Sequence, residues 1–566
     1  MKQDFISYLN TLHNLTPAGA NALAESQTHN HYFNDIYSEF PIVSHIESLI
    51  KNSKDNIIII TGHAGDGKST IAFDLIKRLD ENFKNHSFKT YEYTSSHDLH
   101  ILKDMSELSL AERKDWLARA FNEQGNWLIV SNTGPLLTSI TEYLDSFHTT
   151  KNIETEIYKI LDKDINISDN LKNLDDLLVN INISNKKLHI INIAKLDNIE
   201  VALNIFKKII QHNAWDTLTQ DYPNHPIIEN YSILKFNLEQ TIESIRLVYL
   251  YLLSYEKRLT LRQMIAHFSA SITGGYQLND KIDQSILFSD LFFGMISTKK
   301  WQSATKLSAI SLLSSLNFSG YRSLEIEKLI SNPLSFSNTS PEIKKLADKF
   351  IREDSESQRH DVKSILRRLV YIYNLYPNTY KNAKALFLNS PFIIKFSEWR
   401  LNPECFTKNE SKDIKKMSLQ ALNLFFNGTI DNKYLNLTLK RSDNSIFQIS
   451  QVLIARFDEK KFTVNYCKKK QLPYLALKDN LEIRLELSLP LLDYIQNITK
   501  GDITDSLSPI YKTQLERFKL SLIEYSEIED EDEIVLLNNL SNGDVEEITI
   551  KIEENSKNDL ILSLED

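Results

Sequence analysis

The chain has 566 residues, 42% of them apolar, and its 65 Lys and Arg against 75 Asp and Glu leave a formal net charge of −10. That length supports more than one hydrophobic core. Glycine and proline, 13 of each, fall well below the usual shares of about 7% and 5%, which excludes a propeller, sandwich or turn-rich barrel; the acidic balance argues against a large nucleic-acid footprint made by this chain alone.

Two cysteines, Cys405 and Cys467, are too few for a disulfide framework or a four-thiolate zinc site, and a reducing cytoplasm is the expected setting. The opening MKQDFISYLNTLHNL lacks the basic start and apolar stretch of an export signal. The densest apolar run, LVYLYLL at 247–253, is far short of the ~20 residues of a spanning helix, so no membrane association is expected.

In chain order, residues 1–40 read as a polar helical segment whose aromatic cluster, Tyr32, Phe33, Tyr37 and Phe40, packs on a neighbouring domain or lies beside a bound base, packing being preferred. Residues 41–235 form the next domain. Its first strand is the β-branched run after Asn56, typical of a buried parallel strand. A glycine cluster and the apolar-periodic helix IAFDLIKRL follow. Further strands are expected at FKTYEYTS (88–95), LHILKD (99–104), WLIVSN (127–132) and LHIINIA (188–194), with a helix around AERKDWLARAF. This alternation predicts an α/β domain, a parallel sheet with helices on both faces.

From 236 to 400 the pattern turns helical, with segments FNLEQTIESIRLVYLYLLSYEKR, LTLRQMIAHFSASIT, SLEIEKLI, PEIKKLADKFI and DVKSILRRLVYIYNLY. Residues 401–566 read as a mixed α+β domain. Strands are expected at YLNLTLKR, IFQISQVLIARF, KFTVNYCK, EIRLELSL, EEITIKIEE and DLILSL, with a helix near YKTQLERFKLSLIEY. The acidic run 527–533 reads as a solvated loop or a dock for a basic partner, and the lysines at 468–470 as a solvent-facing turn or, less well, a phosphate contact.

The chemistry concentrates in GHAGDGKST: Gly62, His63, Ala64, Gly65, Asp66, Gly67, Lys68, Ser69 and Thr70. It fits G-x-x-x-x-G-K-[ST], the P-loop pattern, between a buried strand and a helix. The glycines let successive N–H groups face phosphate oxygens. Lys68 is placed to reach the β- and γ-phosphates, Ser69 to supply a hydroxyl to Mg²⁺, and the helix to turn its positive end toward the nucleotide. ATP and Mg²⁺ are the expected ligands.

Such a loop needs an acid at a neighbouring strand end. In LHILKDMSEL, Asp104 is the candidate for the metal shell and Glu107 for polarising water, although DMSE reads almost as well as a plain helix start. Asp197 and, less well, Asp98 are alternatives. Asn132, ending the strand in WLIVSNTGPLL, suits the γ-phosphate or attacking water, or an ordinary turn. Arg262, Arg367 and Arg368 in the helical region are candidates for a nucleotide sensor or for a finger acting across a subunit boundary; a solvated or surface-paired structural role is the competing explanation for each.

On these residues the chain resembles bacterial AAA-like P-loop ATPases of anti-phage defence operons, in particular the ATPase (F) component of DNA phosphorothioation-dependent restriction systems. GHAGDGKST, KDMSEL, VSNTGPLL, LTLRQMIAHFSASITGG and the order of regions carry the resemblance. It implies ATP hydrolysis in a multi-protein complex restricting DNA that lacks a protective backbone modification, with DNA contact and cleavage shared with or left to partner proteins. Self-assembly is left open. A slow nucleotide-controlled switch that recruits an effector through residues 400–566 is the competing expectation, and a small-molecule kinase is disfavoured by some 330 residues beyond the nucleotide domain.

Overall fold

The computed structural model describes residues 4–13, 30–80, 89–145, 186–282, 286–294, 307–314, 324–331, 359–375, 383–431, 433–439, 450–501, 507–526, 533–540, 545–554 and 560–564, together with 155, 157–159, 161 and 178–179. The chain divides into two compact units, Met1–Leu388 and Asn389–Asp566.

In the first unit, helices α1 (Phe5–Thr11), α2 (His31–Ile36) and α3 (Pro41–Asn52) precede strand β1 (Asn56–Thr61). All six residues of β1 are buried, as the isoleucine run requires of a strand covered on both faces. Then come α4 (Lys68–Leu79), β2 (Tyr91–Thr94), β3 (Leu99–Leu102), α5 (Leu110–Asn122), β4 (Asn126–Val130), α6 (Thr133–Asp145), β5 (Leu178–Val179) and β6 (Lys187–Asn192). The six strands form one sheet in the order β2-β3-β4-β1-β6-β5. Its four central strands, β3-β4-β1-β6, are mutually parallel. The edge pairs β2–β3 and β5–β6 are antiparallel, so the sheet is mixed rather than wholly parallel. At β2 the cause is the short connection: four residues join Thr94 to Leu99, enough for a reversal, whereas a parallel crossover needs about a dozen.

Helices α7 (Ile199–Ile210), α8 (Ala214–Asp221), α9 (Pro226–Phe236), α10 (Leu238–Ser254), α11 (Leu261–Thr273), α12 (Phe288–Phe292), α13 (Ser308–Ser314), α14 (Leu324–Ser331), α15 (Arg359–Tyr373) and α16 (Ala383–Leu388) complete this unit. Helix α11 is delimited locally: Thr260 and Gln263 form a reciprocal capping box, and Gly274 ends the helix in the left-handed region. The expected helix PEIKKLADKFI lies outside the described residues.

The second unit contains α17 (Ile393–Leu401), α18 (Lys408–Asn427), β7 (Tyr434–Leu439), β8 (Ser450–Asp458), β9 (Phe462–Cys467), β10 (Leu472–Leu477), β11 (Arg484–Glu486), α19 (Leu489–Thr499), α20 (Pro509–Tyr525), β12 (Glu533–Asn539), β13 (Val545–Glu554) and β14 (Leu560–Leu564). Two antiparallel sheets result, β11-β10-β9 and β14-β13-β12-β8-β7. The free edge of β7 is closed by side chains of α18: Asn423 Nδ2 donates to Tyr434 O at 2.8 Å, Asn436 N–H donates to Asn423 Oδ1 at 3.0 Å, and Asn427 Nδ2 donates to Asn436 O at 3.0 Å. Lys468–Lys470 occupy the turn between β9 and β10, where Lys468 pairs with Glu404 and Lys470 with Glu486. Of the acidic run, residues 527–532 lie outside the described residues.

Among the described residues no helix is long and apolar enough to cross a membrane, and no group of three or more His, Cys, Asp or Glu is placed to hold a metal ion. Cys405 and Cys467 are both free thiols.

Candidate functional site

Strand β1 delivers the chain into Gly62–Gly67, and α4 begins at Lys68. Two glycines are dictated by what lies against them. Gly67 has φ +97° and a Cβ there would fall 2.5 Å from Phe40 Cζ; Gly65 has φ +90° and its Cβ would lie 3.2 Å from both Thr260 Oγ1 and Arg262 Cβ. The loop therefore curls between the residue preceding α3 and the start of α11.

Asp66 is fully buried inside the turn. Its Oδ2 accepts the His63 N–H at 2.9 Å, and its Oδ1 accepts Arg258 Nη1 at 2.9 Å. The Arg262 N–H donates to Gly65 O at 3.1 Å. Lys68, 7% exposed, turns its ammonium back across the loop. It donates to Gly62 O at 3.2 Å, His63 O at 2.9 Å and Asn132 Oδ1 at 2.8 Å. Desolvation lowers the Lys68 pKa; Asp66 and Asp104 oppose the shift and Arg262 adds to it. The three acceptors keep this partly desolvated ammonium satisfied in a geometry that anionic oxygens can take over.

The sheet brings the remaining candidates to the same edge. Because β3, β4 and β1 are parallel neighbours, residues following their C-terminal ends converge, as in open sheets generally. Asp104 follows β3 and caps a single 3₁₀ turn, Met105–Glu107, its side chain accepting the Ser106 N–H at 2.8 Å. The plain helix-start alternative thus holds as local geometry, while the same residue lines the cleft described next. Ser106 Oγ accepts the Asn132 N–H at 2.7 Å and so fixes the strand end that carries Asn132.

A cleft of about 260 Å³ runs along this edge. Its polar side is lined by Ala64, Gly65, Gly67, Lys68, Ser69, Thr70, Asp104, Glu107, Asn132 and Arg262, and its apolar side by Tyr8, Leu12, Phe33, Ile36, Tyr37, Phe40, Ile205, Leu261 and Ile265. Of the aromatic cluster, Phe33, Tyr37 and Phe40 line the cleft. Tyr32 packs against Phe5 and Tyr8, with ring centroids 5.1 and 5.4 Å apart.

Other expected residues lie elsewhere. Gly62, His63 and Asp66 shape the loop without lining the cleft. Asp98 precedes β3 and so lies at the opposite, N-terminal end of the parallel strands. Asp197 accepts the Ile199 N–H at 2.9 Å at the start of α7. Arg368 is buried in an ion pair with Asp290 at 2.6 Å, and Arg367 pairs with Glu327. Both arginines are thereby committed to helix packing rather than to the cleft.

Sequence reading alone misses Ser106 and Arg258. Arg258 stands just before the Thr260–Gln263 capping box, a readable helix start, but nothing local ties it to Asp66. No family model, curated protein or solved structure matches the chain.

Proposed function

We propose that this chain binds and hydrolyses ATP with Mg²⁺, and that the activity serves a bacterial DNA-restriction or anti-phage defence complex. The observation that carries the nucleotide reading is the convergence of Lys68, Asp104, Glu107, Asn132 and Arg262 on one cleft whose other side is apolar. A nucleoside triphosphate has the same two-ended character, polyanionic at one end and aromatic at the other. The defence role rests on the family resemblance, and DNA contact is assigned mainly to partner proteins.

In this reading Lys68 exchanges the Gly62 and His63 carbonyls and Asn132 for phosphate oxygens. Ser69 and Asp104 would hold Mg²⁺, oxygen donors suited to a hard cation, which neutralises charge on the β- and γ-phosphate oxygens when bound. Glu107 accepts a proton from the attacking water, Asn132 orients that water or the γ-phosphate, and Arg262 senses the phosphates from the start of α11. A second reading, a slow switch that recruits an effector through the C-terminal unit, gains support from Asp104, whose carboxylate already serves as a turn cap.

The whole 566-residue chain assayed for ATP binding, turnover and particle mass, with and without DNA, separates these readings. Lys68→Ala is expected to weaken ATP binding by about tenfold or more, and wild-type affinity in that variant would overturn the assignment. Glu107→Gln is expected to retain ATP while losing turnover by about 10²-fold or more. Turnover stimulated by DNA supports the restriction-complex ATPase; a monomer with slow turnover indifferent to DNA supports the switch.

A further inference from the structure

Asp66 places a carboxylate within a loop whose proposed ligand is a polyanion. That side chain has no exposed surface, and its two oxygens are taken by the His63 N–H and by Arg258 Nη1, each at 2.9 Å. Arg258 also approaches Ile193 O at 3.5 Å, and four residues later the Arg262 N–H holds Gly65 O at 3.1 Å. The segment entering α11 is thus fastened to the loop by an ion pair and a backbone hydrogen bond, and Gly65 leaves no room between them.

The electrostatic consequence is specific. With Arg258 in place, the Asp66 charge is neutralised at contact distance. With Arg258 withdrawn, the buried carboxylate loses its one contact ion pair and keeps only the His63 N–H and the coulombic influence of Lys68, the ammonium the phosphates need, and like charges in a partly desolvated site repel. We propose that Arg258 is a positioning residue that makes phosphate affinity conditional on α11 being docked on the loop, by neutralising Asp66. Linkage makes the relation reciprocal: phosphates that bind more tightly to the docked arrangement stabilise that docking by the same factor. The inference rests on the nucleotide reading above and gives the helical region a defined point of leverage on it.

The test is a double-mutant cycle on the full chain, with affinity for Mg·ATP and for inorganic triphosphate measured by calorimetry. Arg258→Ala is expected to raise Kd for both ligands by about 10- to 100-fold. Asp66→Asn keeps an oxygen for the His63 N–H and removes the charge; alone it is expected to tighten binding by up to about threefold. In the Asp66→Asn background, Arg258→Ala is expected to cost no more than about threefold, a rescue that loss of packing alone does not produce. Equal cost in both backgrounds, or an effect on ATP absent with triphosphate, would overturn the proposal. If Arg258→Ala does not fold, Arg258→Gln gives the same comparison. Lys68→Ala separates the two levels: its failure to weaken binding removes the nucleotide reading and this inference together, whereas its normal loss with no Arg258–Asp66 coupling removes the inference alone.

Discussion

His267 shows how a residue with catalytic potential is consumed by the core. It is fully buried, with Nε2 2.8 Å from Phe292 O and Nδ1 2.8 Å from the Tyr249 hydroxyl. The carbonyl can only accept, so Nε2 carries the proton and Nδ1 accepts from Tyr249. Burial pulls the His267 pKa down to about 4, with the Phe292 carbonyl pulling weakly the other way. His13, bonded to Asn10, is likewise lowered to about 4 by burial. Both folded-state values lie below the unfolded one, so the unfolded chain binds more protons between about pH 6.5 and pH 4, and stability falls as pH drops through that window. The unfolding free energy of the wild-type chain from urea titrations is expected to decline across it, and His267→Gln to flatten the decline by an amount on the order of 3 kcal/mol. A wild-type value unchanged from about pH 7 to about pH 4.5 would contradict this account.

At the scale of elements, the two edges of the five-stranded sheet differ. Strand β7 is closed by amides from α18, whereas β14 presents Leu562 and Leu564 to solvent, 64% and 71% exposed. Asn423 is fully buried and serves both Tyr434 O and Asn436 N. Asn423→Ala is expected to destabilise the second unit by about 2–3 kcal/mol, since it strands a donor and an acceptor together. Asn423→Asp, which keeps only the acceptor, is expected to fall between Asn423→Ala and the wild type; chemical denaturation followed by circular dichroism gives the ranking. Some of these elements are readable in the sequence and others are hidden for identifiable reasons. The isoleucine run of β1 and the capping box of α11 are contiguous signals. Strand β10 carries Pro473 in the middle of a three-stranded sheet, a residue that argues locally against a strand. Strand β12 follows directly on the acidic run and carries little alternation, so it too escapes a local reading.

Across the first unit, the candidate site divides along the same line. The Gly62–Thr70 loop is legible because its residues are consecutive, and Asn132 because it ends an apolar run. The ring of Phe40 against Gly67 and the Arg258–Asp66 pair are not, because chain neighbours do not determine which distant residue arrives. Asp66 and Arg258 are 192 positions apart. A fragment ending at residue 235, at the boundary the sequence suggests, lacks both Arg258 and Arg262. Such a fragment is expected to bind ATP about tenfold or more weakly than the full chain, and calorimetry on the two proteins decides it; equal affinity would show that the loop needs nothing from α11.

The position of β1 between β4 and β6 also sets a schedule for biosynthesis. Its neighbours are Asn126–Val130 on one side and Lys187–Asn192 on the other, so the strand that leads into the loop waits for more than a hundred residues to leave the ribosome before both its edges are paired. The Asp66 carboxylate waits longer, until Arg258 emerges. During that interval the nascent chain carries an unpaired sheet edge, and distant pairings of this kind fold slowly. The native arrangement around the loop is therefore completed only once residue 258 is available.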